Sequence, residues 1–272
     1  MRPVVEDSRG ILQPDEGLRH FRLTRYPPSA PLAGLVQWYW LVEWDLRGRP
    51  DYEQRTLTHP CVNMVFEPGC ARVYGVTRRV SVNRLTGKSW ALGVLFRPGG
   101  FAPFVPGPVS ALTDTARDIA DWLPAGDPLI ANVRAEADAA ARAGLVDSAL
   151  TAALPEVAPD VWEAVAAARL VEEDRGIQRV DDLAERVGCG IRYLQRLFAR
   201  TVGVSPKWVI RRYRLLDAGE AVARGQRVDW ADLAMRLGYS DQPHLSRDFR
   251  AAFGTSPARY AATVGAAAGA TP

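Results

Sequence analysis

LAERVGCGIRYLQRLF, residues 183–198, and LAMRLGYSDQPHLSRDF, residues 233–249, are two versions of one pattern. Leu183, Ala184, Arg186 and Gly188 return as Leu233, Ala234, Arg236 and Gly238, an offset of 50 residues. Leu194, Arg196 and Phe198 return as Leu245, Arg247 and Phe249, and Gly203, Ser205 and Pro206 as Gly254, Ser256 and Pro257, an offset of 51. The second copy therefore carries one extra residue in its turn. Self-similarity at a fixed period marks two copies of one supersecondary unit.

Each copy reads as two helices around a tight turn. Val180, Leu183, Ala184 and Val187 recur at i, i+3, i+4 and i+7, one apolar stripe, and Gly188 stops it. The turn Gly188-Cys189-Gly190 leads into a second helix with Leu194, Leu197 and Phe198 inward. Its outer stripe is Arg192, Gln195, Arg196 and Ala199. In the second copy Leu245 and Phe249 face inward, Gln242, Ser246, Arg247 and Arg250 face out, and His244 lies near the helix start. Arginine donates bidentately to guanine and glutamine to adenine, so such stripes suit the major groove. For one copy alone a solvated face is the simpler reading; two copies facing alike favour DNA.

Between the copies, Ser205 reads as an N-cap, Pro206 as the first helical residue and Gly225 as the stop. A helix over 206–224 is about 28 Å long, close to the ~34 Å between successive major grooves on one DNA face. Val209, Tyr213 and Leu216 form its inward stripe, leaving Arg211, Arg212 and Arg214 for phosphate or solvent.

Residues 163–262, above all the run LGYSDQPHLSRDFRAAFGTSPARY, resemble the DNA-binding domain of the AraC/XylS family of bacterial transcription regulators. That resemblance implies base contacts by Arg192, Gln195 and Arg196 from the first reading helix and by Gln242, His244, Ser246 and Arg247 from the second. It also implies double-stranded DNA and RNA polymerase as partners. Two departures stand out: Gly190 replaces a capping serine or threonine, and Pro243 replaces a first-turn polar residue.

Upstream the pattern changes. Val36, Trp38, Trp40, Val42 and Trp44 alternate with Gln37, Tyr39 and Glu43, the period of a strand with one buried face. Cys61–Phe66, Ala71–Val76 and Trp90–Phe96 read as further strands, punctuated by Glu67-Pro68-Gly69 and Arg97-Pro98-Gly99-Gly100. An antiparallel barrel or sandwich is expected. WYWLVEWD, HPCVNMVFEPG and LGVLFRPGGF resemble a cupin-like sensor domain of unassigned ligand. Trp38, Trp40, Phe66, Trp90 and Arg97 are the candidate effector pocket, although aromatics alternating on strands serve equally as plain core. Arg97 pairs with an acidic ligand or with a carboxylate such as Glu43.

The expected class is α+β and multidomain: a β-rich sensor or dimerisation domain over 1–125, a helical linker over 126–162, a double helix-turn-helix domain over 163–262 and a disordered tail over 263–272. Composition agrees with a globular chain: 47% hydrophobic and 24% charged. All 34 basic residues but Lys88 and Lys207 are arginine. Residues 172–262 hold 16 basic against 12 acidic side chains, +4, which leaves about −1 for the rest of a +3 chain. That excess suits a polyanionic partner.

No apolar run reaches the ~18 residues of a membrane span, and the N-terminus lacks a signal peptide's apolar core. With only three cysteines, Cys61, Cys70 and Cys189, the expectation is a cytoplasmic protein without a disulfide framework. His59, Cys61 and Glu67 are too sparse for a metal cluster, and no phosphate loop or nucleophile elbow occurs. No metal, cofactor or catalytic residue is expected. The reading is a sequence-specific transcription regulator whose β-rich part takes a small organic effector or a second subunit. Its rival makes that part a catalytic module targeted by DNA binding.

Overall fold

The computed structural model describes residues 1–2, 9–123, 126–223 and 229–268. After one helical turn, α1 (Pro14–Gly17), come eight strands: β1 (Arg22–Tyr26), β2 (Val36–Asp45), β3 (Tyr52–Thr56), β4 (Asn63–Phe66), β5 (Ala71–Tyr74), β6 (Ser81–Leu85), β7 (Lys88–Phe96) and β8 (Ala116–Asp118). Six form one antiparallel sheet in the order β1-β2-β7-β4-β5-β8, and β3 pairs with β6 in a second, two-stranded sheet. The predicted antiparallel β architecture is therefore present.

The large sheet uses its two faces differently. On one, Tyr39 and Leu41 of β2, Met64 and Phe66 of β4, Val73 of β5 and Leu92, Val94 and Phe96 of β7 are buried together. They pack under α2 (Gly126–Ala135) and α3 (Ala139–Ala153), which contribute Leu129, Val133, Ala143, Val146 and Leu150. On the other, Trp40, Val42 and Trp44 meet Phe21, Leu23 and, from the small sheet, Leu85 and Tyr52. A register shift between Val36 and Trp38 turns Val36 into the helix-covered core, off the tryptophan face.

Helices α2 and α3, within the 126–162 span expected as a linker, thus pack on the large sheet. Tyr39 donates to the buried Asp147 carboxylate of α3 at 2.9 Å, and buried Arg142 lies 3.8 Å over the Trp90 ring. The expected boundary after 162 also falls inside a helix, because α4 runs Pro159–Glu173. Its Val161, Ala164, Ala167, Ala168 and Val171 give it one continuous apolar stripe.

Six more helices follow: α5 (Val180–Val187), α6 (Ile191–Thr201), α7 (Pro206–Ala223), α8 (Trp230–Arg236), α9 (Gln242–Phe253) and α10 (Pro257–Ala268). With α4 they share a core that includes Leu183, Leu194, Phe198, Tyr213, Leu233, Leu245 and Phe249. Leu12, Leu57 and Val76 of the β-rich half belong to the same core, so the junction between the halves is itself buried. The tail expected to be disordered from 263 is helical to Ala268, as alanine's helix propensity favours; 269–272 lie outside the described residues. The expected stop at Gly225 also lies outside them, and α7 is 18 residues long, about 27 Å.

Candidate nucleic-acid interface and a cavity between the sheets

Both copies of the repeat fold as helix-turn-helix units, α5–α6 and α8–α9. The repeated glycines mark the backbone positions that demand them. Gly188 and Gly238 have φ of +73° and +69°, and Gly203 and Gly254 have +97° and +72°. A side chain would be strained at all four.

In α6, Leu194, Leu197 and Phe198 are buried while Arg192, Gln195, Arg196 and Ala199 are exposed. In α9, Leu245 and Phe249 are buried, Gln242, Arg247 and Arg250 are exposed, and His244 and Ser246 are half-buried. His244 is already committed locally. Its Nδ1 lies 3.2 Å from the Ser240 hydroxyl and its ring meets Tyr239 edge-on at 5.1 Å.

Helix starts differ between the copies. Asp241 caps α9, accepting from the His244 amide at 2.6 Å, and Pro243 falls in the first turn, where an N–H has no helical partner to lose. Gly190 heads α6 with no side-chain cap.

Arginines sort sharply by position. Arg192, Arg196, Arg247 and Arg250 make no hydrogen bond or ion pair with any described residue. Arg200 pairs with Asp160 of α4, Arg186 with Asp174 and Arg236 with Asp232. The α7 arginines, expected to face solvent or phosphate, are each engaged by the protein instead. Arg211 grips Asp248 of α9 through both carboxylate oxygens, its Nε 2.9 Å from Oδ2. Arg214 donates to the Gln178 carbonyl. Arg212 is only 3% exposed and donates to the carbonyls of Thr58 at 3.2 Å, Thr77 at 3.3 Å and Arg78 at 2.9 Å. Burial lowers the Arg212 pKa to about 10, so it stays charged at neutral pH.

Between the two sheets lies a cavity of about 270 Å³. Trp38, Trp40, Val42 and Trp44 of β2 form one side, Phe21, Leu23 and Arg25 of β1 continue it, and Leu85, Gln54 and Thr56 come from the small sheet. Thr58, His59, Cys61 and Thr77 line it on the side nearest α7. Facing positions alternate large and small, since Trp40 pairs with Gly93, and a Cβ there would lie 2.1 Å from the indole. The Arg25 guanidinium, buried at 7% exposure, sits 5.1 Å from the Trp38 ring.

Two predicted pocket residues, Trp38 and Trp40, therefore line the cavity and three do not. Phe66 and Trp90 sit at the opposite strand parity, packed toward α2 and α3, while Asn63, Val65 and Ala91 take the inward positions. Arg97 donates to the Ala33 carbonyl at 3.3 Å, outside the cavity, and Glu43 pairs with Arg22 instead. Leu23, Arg25, Gln54 and His59 were missed. Leu23, Arg25 and Gln54 lie on short strands and His59 in a loop, and Arg25 reads in sequence as an exposed charge.

All three cysteines are free. Burial pushes the Cys61 thiol far up, and burial with a hydrogen bond to Glu67 raises Cys70 to about 11, so neither is poised as a thiolate. Among the described residues no cluster of three His, Cys, Asp or Glu side chains could hold a metal, and no helix is long and apolar enough to cross a membrane.

Residues 24–118 match a family described as a domain of unknown function (DUF6597), and residues 183–263 match one described as a helix-turn-helix domain. Similar curated proteins include the HTH-type transcriptional regulator ExsA of Pseudomonas aeruginosa, 30% identical over 81 residues, covering 30% of this chain and 29% of that protein. The HTH-type transcriptional activator RhaS of Escherichia coli is 35% identical over 77 residues, 28% of this chain and 27% of its own length. The probable transcription factor PqrA of Proteus vulgaris is 29% identical over 90 residues, 33% of this chain and 72% of that protein. The chain thus matches less than a third of the length of ExsA and of RhaS.

Among solved structures, the C-terminal domain of the response regulator AraT from Geobacillus stearothermophilus gives a TM-score of 0.35 at 23% identity, covering 40% of this chain and 88% of that one. ToxT from Vibrio cholerae gives 0.42 at 11% identity, covering 90% and 98%. The C-terminal part of this chain is a helix-turn-helix domain, similar in sequence to the matching segments of ExsA and RhaS.

Proposed function

We propose that this chain is a one-component, sequence-specific transcription regulator that binds double-stranded DNA through α6 and α9. One observation carries the reading: the arginines on the outer stripes of both helices are exposed and engaged by none of the described residues, while neighbouring arginines of the same domain are held in ion pairs or by buried carbonyls. An unengaged guanidinium keeps all its donors for guanine or phosphate. Arg192, Gln195 and Arg196 read from α6, and Gln242 and Arg247 from α9. His244 and Ser246, half-buried, act at the margin.

We divide the chain into a sensor of β-strands with α2 and α3, and a DNA-binding unit of α4–α10. The sensor admits a small organic effector into the cavity behind Trp38, Trp40 and Trp44. A cavity lined by aromatic and aliphatic side chains with a few polar groups is the usual form of a small-molecule site. The raised pKa of the buried Cys61 thiol, the cysteine that lines the cavity, argues against a nucleophilic enzyme there. A homodimer and a contact with RNA polymerase rest on the family resemblance alone.

Selecting bound sequences from a random DNA library with the full chain tests this directly. A discrete site should emerge whose affinity falls steeply with salt, at a log–log slope near −0.9 per phosphate contacted. Recovery of no preferred sequence would contradict the proposal.

A further inference from the structure

Two adjacent residues of α7 reach in opposite directions. Arg212 enters the β-rich half and holds the carbonyls of Thr58, Thr77 and Arg78. Thr58 and Thr77 line the cavity, as does the intervening neighbour His59, whose ring meets Tyr213 of α7 edge-on at 6.3 Å. Arg211 holds the Asp248 carboxylate of α9, next to the exposed Arg247. The first reading helix has its own ties: Arg200 pairs with Asp160 and the Tyr193 hydroxyl donates to Glu163, both on α4, and just past its C-terminus the Thr113 hydroxyl of the β-rich half donates to the Gly203 carbonyl at 2.7 Å.

We propose that Arg211 and Arg212 are positioning residues that couple the cavity wall to the second reading helix, so that an occupant of the cavity acts on α9. The proposal rests on the DNA-reading function argued above and deepens it by naming the route of control. A guanidinium buried among three carbonyls has no solvent to replace them, so it moves with the wall or lets go altogether. A shift of residues 58 and 77–78 is thereby passed to α7, and the Arg211–Asp248 clamp passes it on to the face that carries Arg247. Linkage makes the effect reciprocal: fixing α9 on DNA must alter the cavity wall.

That reciprocity permits a test without knowing the effector. Hydrogen exchange of the full chain is followed by mass spectrometry with and without a DNA fragment selected by the full chain itself. In the unsubstituted protein, DNA should slow exchange in α6 and α9 and also at 57–59 and 76–79, the wall segments, by roughly fivefold or more. In Arg212→Met, which keeps side-chain volume but removes the donors, protection of the reading helices should persist while the wall effect disappears. Arg212→Lys should restore part of it.

The paired exchange Arg211→Asp with Asp248→Arg supplies a second arm on a half-exposed site. Either single change should uncouple wall from DNA, and the double change should recouple them. Protected reading helices with an unresponsive wall would overturn the coupling and leave DNA reading intact, as would a wall effect unchanged in Arg212→Met and in both single reversals. DNA that protects neither α6 nor α9 would overturn the DNA-reading function itself, and the coupling with it.

Discussion

Helices α6 and α7 each carry three arginines within a few residues, yet the two sets have opposite fates. Arg192 and Arg196 stand free on α6, and only Arg200, at its end, is paired. Arg211, Arg212 and Arg214 on α7 are all engaged by the protein, on Asp248, three β-half carbonyls and the Gln178 carbonyl. Composition alone cannot separate the two sets. What separates them is whether a partner element covers the helix: α7 lies between the cavity wall, α4, α9 and α10, whereas α6 has one face on the core and one on nothing. The reading surface is thus defined by where arginine is left unused, and the scaffold by where it is used up.

The largest expected effect lies within α6 itself. Leu194 is fully buried beneath α6, and Leu194→Ala should cost about 2–5 kcal/mol of stability. Arg196→Ala, on the exposed side of the same helix, should leave thermal unfolding unchanged and weaken DNA binding by about 1–3 kcal/mol. A melting temperature lowered equally by both would show that α6 is not divided in this way.

The two helix starts sharpen the contrast further. Asp241→Ala removes the α9 cap and should cost about 1 kcal/mol, while Gly190→Ser should add a few tenths at the uncapped start of α6. Denaturant midpoints read both changes, and the first should be clearly the greater.

A smaller effect lies at the junction. The Glu172 carboxylate is raised chiefly by burial, against the favourable charges of Arg9 and Arg97 and a hydrogen bond from Tyr213, with Glu173 adding repulsion. Its folded-state pKa exceeds its unfolded value, so it contributes stability below the ordinary carboxylate range that is lost as pH rises through the folded value. Asp217, raised by burial beside Arg9 and Arg175, acts in the same sense. Glu172→Gln should therefore flatten the decline of stability with rising pH in that window, measured by denaturation at stepped pH. A steeper decline in the variant would reverse the assignment.

Much of this was readable in the chain before any coordinates. Matched glycines at 188/238 and 203/254 mark the same helix ends in both copies, because a positive φ at each favours glycine at the same place twice. The stripes of α6 and α9 followed from helical spacing. Strand alternation was legible as well, but period two says that the two faces differ and not which one looks into a cavity. Phe66 and Trp90 were therefore assigned to a pocket when they pack under α2 and α3, which lie far downstream in sequence. The fate of Arg212 was illegible for a plainer reason: its three acceptors are backbone carbonyls 134 to 154 residues away, and a carbonyl carries no residue-type signal.

Binding of Arg196→Ala and Arg247→Ala to a library of variants of the selected DNA site tests most directly that α6 and α9 each read bases. Each variant should lose preference at its own position, and the two positions should lie about 10 base pairs apart, one helical turn along one face of the DNA. Loss of preference at a single shared position, or uniform weakening at every sequence, would contradict reading by two helices in successive major grooves.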